Sequence, residues 1–243
     1  MPARIGVAVA PLGSGEPESF GPLQAGHAWS SIKVPILVTL MRDRNERLSQ
    51  PEMQWAIDAI EASNNTAALN LFHQLERIHG GLQDASTAVQ GTMGVAGNTA
   101  TVATASPPPG AVSTYGQTEW SIDEATAFFR ALANGCLLGP RGTEYVLGLM
   151  RNVIPEQRWG LGEAAFDPSW SVAMKGGWGP EAESGAYLVR QSGVIQSRSA
   201  GIAVTMIAED PSGSFEAGAS DLTRIGTWLR ENLRSLGQPA GSC

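Results

Sequence analysis

Apolar and polar positions along the chain fall into successive patterns. From Arg4 to Leu12 the residues are apolar or β-branched, and Pro11 and Gly13 close the run, which predicts a strand. A Gly-, Pro- and Ser-rich stretch through Gly26 fits a turn and a short return strand. The pattern then turns helical. Trp29-Ser30-Ser31-Ile32-Lys33-Val34-Pro35-Ile36-Leu37 reads as a loop running into a helix that extends to about Met41 and is apolar nearly all round, the mark of a central buried element. The mixed-sign run Arg42-Asp43-Arg44-Asn45-Glu46-Arg47 predicts a solvated end to it. Ser49-Gln50-Pro51-Glu52 starts the next helix, with a serine cap, proline at the first helical position and an acid in the first turn; Trp55, Ile57 and Ile60 give it an apolar side. Ser63-Asn64-Asn65 reads most simply as a turn and helix cap ahead of a helix through Leu69, Leu71, Phe72 and Leu75.

Residues 85–118 contain no Asp, Glu, Lys, Arg or His. This Gly-, Ala-, Thr-, Ser- and Pro-rich stretch, with Pro107-Pro108-Pro109-Gly110 inside it, predicts a long loop or a pair of loops, functional or mobile. Ser121 and Glu124 form a capping box at the start of the following helix, with Phe128, Leu132 and Leu137 inward and Gly135 at its end. Another helix covers Thr143 to Met150. Beyond Pro155-Glu156-Gln157-Arg158-Trp159-Gly160 the period becomes strand-like. Trp170 to Lys175, Tyr187 to Arg190 with Gly193 to Ile195, and Ile202 to Ile207 read as three antiparallel strands, and Asp221 to Leu236 as a final amphipathic helix. The order strand, helices, strands, helix predicts an α+β fold: an antiparallel sheet flanked by helices, with an all-helical lobe inserted between its first and later strands. No internal repeat is present.

At 243 residues the chain suits one large domain, with an α/β lobe of about 1–28 and 165–243 and a helical lobe of about 29–164. A formal net charge of −7 argues against nucleic acid and against an anionic membrane surface as partners. No stretch is long and apolar enough to span a membrane. Met1-Pro2-Ala3-Arg4 leads directly into strand-like sequence, so no signal peptide is read; the protein is either cytoplasmic or freed of an export signal. Cys136 and Cys243 make no framework, and with Cys243 terminal a native disulfide between them is not expected.

Candidate chemistry starts at Ser30 and Lys33, three apart and so on one helix face. A serine hydroxyl needs a neighbouring base to act as a nucleophile, and a lysine buried among apolar residues loses affinity for its proton. The bland alternative is a cap serine followed by an unrelated surface lysine. Of 16 Lys and Arg residues 14 are arginine, and both remaining lysines, Lys33 and Lys175, fall in candidate motifs, Ser-x-x-Lys and Lys-Gly-Gly. Arginine cannot serve as a base near neutral pH, whereas lysine can be tuned to it. No Gly-x-Ser-x-Gly elbow is present, and His27, His73 and His79 read as surface or satisfied residues rather than members of a Ser-His-acid triad.

Three motifs stand in a fixed order: Ser30-x-x-Lys33, Ser63-Asn64-Asn65 and Lys175-Gly176-Gly177. Together with Val153-Ile154-Pro155-Glu156-Gln157-Arg158-Trp159-Gly160, they resemble the serine penicillin-recognising enzymes, closest to the class A β-lactamases. The resemblance implies a β-lactamase/transpeptidase-like fold and Ser-Lys acyl-enzyme chemistry without cofactor or metal. It implies Ser30 as the acylated nucleophile, Lys33 as its proton acceptor, and Ser63 as a relay to the leaving nitrogen. Lys175 would supply positive potential, and each lysine would depress the other's pKa. Asn65 would bind the substrate amide beside Gly177, Trp178 and Ser30 would supply oxyanion-hole N–H groups, and Arg190 would hold the substrate carboxylate unless it is a solvated strand residue. It also implies a monomer with a small-molecule or peptidoglycan-like substrate, outside the cytoplasm.

The sequence also departs from that family. Asn64 stands where the family usually has aspartate, and Gly176 where a threonine or serine hydroxyl contacts the substrate carboxylate. The spacing from Ser30 to Ser63 is short and the usual N-terminal helix is missing. The Glu-x-x-Leu-Asn deacylation motif should fall within 85–118, which holds no acid; Glu119 is nearest but lies at the helix entrance. The expectation is therefore a serine hydrolase with poor β-lactam turnover, or a binding protein that keeps the pocket without the chemistry.

Overall fold

In the computed structural model the described residues are 3–105, 112–181, 185–239, 241 and 243. Its frame is a five-stranded sheet. β1 (Arg4–Pro11) pairs with β2 (Glu18–Phe20) on one side and β7 (Gly201–Asp210) on the other, and β6 (Tyr187–Gln196) and β5 (Ser171–Pro180) complete the order β2-β1-β7-β6-β5, antiparallel throughout. β6 and β7 are buried almost end to end; β7 reads as a near-continuous apolar run, whereas buried Arg190, Gln191 and Ser192 interrupt the apolar pattern of β6. β5 runs on past the predicted end at Lys175 through Lys-Gly-Gly-Trp to Pro180.

One face of the sheet is covered by α7 (Phe215–Leu236), where Leu222, Leu229 and Leu233 join Val189, Val204 and Met206 in one core. The other face meets the elements inserted between β1 and β5. They comprise α1 (Lys33–Asp43), α2 (Gln50–Glu61), α3 (Asn65–His79), α4 (Leu82–Gly94), α5 (Ile122–Ala133) and α6 (Pro140–Arg151), with a small ribbon of β3 (Ala25–His27) and β4 (Glu119–Ser121). The α+β arrangement expected from the element order is the one observed. α1 is its axis: Lys33 through Met41 are all buried. Pro35 is tolerated because it lies in the first turn, where the missing N–H has no partner to lose.

The α2 cap behaves as the sequence implies, while at α5 only half of the expected box forms, because the Glu124 carboxylate accepts from Thr99 N and Oγ1 instead. Ser49 and Glu52 close a capping box on α2, and Ser121 accepts from Glu124 N at 3.1 Å at the start of α5. Asn64 caps α3, its Oδ1 accepting from Ala67 N at 2.9 Å. Asparagine fills that place as well as aspartate does, since only a side-chain oxygen is required.

Four expectations need correction. The first part of the uncharged stretch is helix α4, held by Ala85, Val89 and Met93 at helical spacing on a buried stripe; its glycines and threonines hide it from propensity. Pro107 to Gly110 lie outside the described residues. α7 begins at Phe215 rather than Asp221, because Ser214 caps it and small residues let it press on the sheet: a Cβ on Gly218 would lie 2.6 Å from Val189. The charged run after α1 is anchored rather than merely solvated. Glu46 accepts from Gly139 N at 2.5 Å and Gly142 N at 3.1 Å, capping α6, and Arg44 pairs with Glu52.

The fourth correction is the disulfide. Cys136 and Cys243 are bonded, with 5.5 Å between Cα atoms and 107 residues between them in sequence. The tail folds back over β1: Gln238 pairs with Gly201, and Gly241 N donates to Leu12 O at 2.8 Å, which carries Cys243 to the turn after α5. Among the described residues no helix is long and apolar enough to cross a membrane.

Candidate active site

The nucleophile candidate stands on a strained turn. Trp29–Ile32 form one turn of 3-10 helix that feeds α1, and Trp29 enters it at φ 45°, a left-handed conformation rare for a bulky side chain. The Trp29 indole donates to Glu181 Oε1 at 3.3 Å, a tie that holds the turn against the end of β5. Ser30 and Lys33 then follow on one side, opening into a cavity of about 260 Å³ shared with Ser63, Asn65, Tyr115 and Trp178.

Two lysines converge on one serine. Lys33 Nζ donates to the Ser63 carbonyl at 2.6 Å, to Asn65 Oδ1 at 2.8 Å and, at 3.4 Å, to Ser63 Oγ. Lys175 Nζ reaches Ser63 Oγ at 2.8 Å from β5 on the other side. Ser63 is held at φ 56°, which turns its carbonyl and hydroxyl toward the two amines. Burial lowers the Lys33 pKa to about 7. Lys175 is pushed well down from the usual lysine value, by burial first and then by the nearby Lys33 charge. Lysines at Ser-x-x-Lys and Lys-Gly-Gly are thus brought together, 142 positions apart in sequence, around the second motif.

The glycines of β5 set how closely that strand approaches the turn. A Cβ on Gly177 would lie 2.7 Å from Ala28 O and 2.8 Å from Ser30 N, so only glycine lets β5 run against the nucleophile's backbone. Gly176 faces the other way, and a Cβ there would lie 2.3 Å from the ring of Trp159. Trp159, Trp178 and Phe215 form one aromatic cluster on that face, with ring centroids 5.2–5.8 Å apart. The departure at Gly176 therefore has a packing cause: an indole fills the space that a hydroxyl-bearing side chain would need.

Arg190 is neither solvated nor in the cavity. It is completely buried opposite Gly177, and its Nη1 donates to Gly26 O at 3.0 Å, Trp120 O at 3.1 Å and His27 O at 3.3 Å, while the guanidinium sits 5.4 Å from the Trp120 ring centre. Its Nε and Nη2 have no partner among the described residues. It ties the β3–β4 ribbon to the sheet. The three histidines each sit beside a carboxylate: His27 by Glu181, His73 by Glu76 and His79 by Asp43. None lines the cavity with Ser30 among the described residues, and neither does Glu119.

Sequence reasoning missed part of the wall. Val112, Ser113, Tyr115, Gly116 and Gln117 line the cavity from the uncharged stretch, and Tyr187, Gly179 and Pro180 from the β5–β6 end. The isolated Tyr115 in a run of small residues was the available signal. Burial raises its hydroxyl pKa to about 12, so it stays neutral. Among the described residues no group of His, Cys, Asp and Glu is placed to hold a metal ion.

A scan of protein-family models and a search of curated proteins find no match to the sequence. Solved structures do match. A point mutant of PBP-A, held as an acyl-enzyme with penicillin G, aligns at TM-score 0.72 and 18% identity over 96% of this chain and 91% of its own. The chromosome-encoded β-lactamase of Vibrio parahaemolyticus aligns at 0.70 and 14% over 96% and 94%. The extended-spectrum β-lactamase TLA-1 aligns at 0.74 and 14% over 95% and 93%. Such likeness across nearly whole chains, at these identities, establishes one thing: the chain has the β-lactamase-like fold that these β-lactamases and PBP-A share.

Proposed function

We propose that the protein is a serine hydrolase that forms an acyl-enzyme on Ser30 from ester, amide or β-lactam substrates. The observation that carries this reading is the convergence of Lys33 and Lys175 on Ser63 in the cavity that Ser30 lines, with Lys33 lowered to about 7. Neutral Lys33 accepts the Ser30 proton as Oγ bonds to the substrate carbonyl carbon. The Ser30 and Trp178 N–H groups hold the developing oxyanion. The proton passes through Ser63 to the leaving nitrogen or oxygen as its bond to carbon breaks, and Lys175 keeps the Ser63 hydroxyl oriented.

Water then cleaves the acyl-Ser30 ester. The described cavity-lining residues include no carboxylate, and the 85–118 stretch carries none in its sequence. Activation of that water falls to the lysines and Ser63, so deacylation is slow and β-lactam turnover poor. The same observation supports a second reading, a penicillin- or cell-wall-peptide-binding protein that acylates and stops. The PBP-A mutant held as an acyl-enzyme complex with penicillin G supports acyl-enzyme chemistry in this fold. The Cys136–Cys243 bond supports an oxidising, extracytoplasmic compartment.

Intact mass followed over time with benzylpenicillin and with a fluorophosphonate, in the wild type and in Ser30→Ala, tests the proposal. The expected result is a Ser30-dependent adduct with both reagents, and a penicilloyl adduct that persists. No adduct with either reagent, or labelling that survives Ser30→Ala, overturns it.

A further inference from the structure

Among the described residues, the cavity beside Ser30 holds no cationic receptor for a substrate carboxylate apart from Lys33. Three positions are the candidates to supply one. The side-chain direction at Gly176 is filled by Trp159, whose Cζ2 and Cη2 atoms lie 2.3 and 2.6 Å from where a Cβ would stand. Arg190 has no exposed surface, spends its Nη1 on three backbone carbonyls and does not line the cavity. Lys175 is buried with its amine on Ser63 Oγ and Gly176 O, at 2.8 and 3.0 Å, and faces inward to the network rather than outward to a ligand. Apart from Lys33, no other basic side chain lines the cavity among the described residues.

What surrounds the opening favours a different ligand. Trp29, Tyr115 and Tyr187 give three aromatic walls, with Val112 and Pro180 beside them, while the Trp178 ring packs on Trp159 and Phe215. Behind Trp29 stands an acid: Glu181 is held by the Trp29 indole at 3.3 Å and by His27 Nδ1 at 2.9 Å. Apart from Lys33, which is engaged by Ser63 and Asn65, a carboxylate on the leaving group would find no cation among the described lining residues, and the Glu181 charge behind Trp29 adds to the field against it. The cavity volume of about 260 Å³ accommodates an acyl group with one ring rather than a long peptide.

We infer that the substrates are uncharged aromatic esters or amides whose leaving group bears no carboxylate, a reading that rests on the Ser30 acyl-enzyme proposed above. Ser30 Oγ bonds to the acyl carbon, the bond from that carbon to the leaving heteroatom breaks, and the serine's proton ends on the released alcohol, phenol or amine.

Two phenylacetyl esters with leaving groups of the same shape test it, one of 3-hydroxybenzamide and one of 3-hydroxybenzoate. Phenol release gives kcat/KM, with Ser30→Ala subtracted, and Ser30 labelling by a fluorophosphonate is measured in parallel. The expected result is Ser30 labelling together with a preference of roughly tenfold or more for the neutral ester. Labelling with equal or greater activity on the carboxylate ester overturns the inference and leaves the acyl-enzyme standing. Labelling with neither ester accepted also overturns it. Absence of labelling strikes the acyl-enzyme itself, and the inference with it.

Discussion

Lys175 Nζ donates to the Ser63 hydroxyl at 2.8 Å, from a strand on the far side of the cavity from the helix that carries Lys33. Ser63 also offers its carbonyl to Lys33 at 2.6 Å, so a single residue in a left-handed conformation couples two amines that would otherwise repel. Removing only the hydroxyl separates these roles. Ser63→Ala keeps the carbonyl contact but loses the route from Lys33 to the leaving group, and acylation is expected to slow by roughly 10²–10⁴-fold. The rate of phosphonate or penicilloyl adduct formation by intact mass measures it. An unchanged rate would show that Ser63 is not the relay.

Acylation also has an expected pH dependence. Burial depresses the Lys33 pKa to about 7. Below that value the amine is protonated in the folded state and cannot accept a proton; above it the neutral form predominates. The acylation rate should therefore climb through neutral pH, reach half its plateau near pH 7 and be flat on the alkaline side. A lysine at its ordinary value would still be gaining activity at pH 9. Adduct formation with a neutral phosphonate, whose own charge does not change over this range, gives the profile cleanly.

How much of this was legible in the sequence depends on where each signal resides. β7 and α1 were readable because burial on both sides makes continuous apolar runs, and the starts of α2 and α5 because a serine cap carries its own mechanism. The two lysines were conspicuous because the chain has no others. What stayed hidden was non-local. Nothing near Arg190 in sequence says that the β3–β4 ribbon will cap it, and nothing near Gly176 says that Trp159 will lie over it. The Cys136–Cys243 pairing depends on a tail folding over β1, again across a long span. α4 was local yet missed, because its stripe of Ala85, Val89 and Met93 is thin and its glycines speak against a helix.

Placing a hydroxyl-bearing side chain at Gly176 is expected to fail. A Cβ there would come 2.3 Å from Trp159, which is itself wedged between Trp178 and Phe215 and cannot withdraw freely. Gly176→Thr should destabilise the fold by about 1–3 kcal/mol, the usual range for overpacking. Chemical denaturation reads this directly. A neutral or stabilising result would mean that the aromatic cluster yields easily, which would weaken the argument that packing closed this position.

Arg190 separates a structural arginine from a ligand-binding one. Its Nη1 serves three carbonyls, and burial lowers its pKa to about 10 even with Glu119 and Glu181 nearby. Arg190→Met leaves those carbonyls without a donor but also removes two nitrogens that have no partner among the described residues. The opposing effects leave a net loss of roughly 2 kcal/mol. The KM ratio for the carboxylate and neutral esters should stay the same. A selective rise in KM for the carboxylate ester would show that the guanidinium does reach the ligand.

The disulfide should matter for stability and not for chemistry. Cross-linking residues 107 apart removes loop freedom mainly from the unfolded chain, by up to roughly 4–5 kcal/mol for a loop of that size. In the folded state the tail is already held by the Gln238–Gly201 pairing and by Gly241 N on Leu12 O, so breaking the bond leaves a docked segment rather than a detached one. The bond joins the turn after α5 to the tail, and neither cysteine lines the cavity that holds Ser30. A Cys136→Ser/Cys243→Ser double variant is therefore expected to melt roughly 10 °C lower while Ser30 is labelled at the wild-type rate. Intact mass after alkylation, with and without reduction, checks the premise: both thiols should react only once reduced. Alkylation without reduction would mean that the pair is open in the protein as isolated, and the proposal of an extracytoplasmic compartment would lose its support.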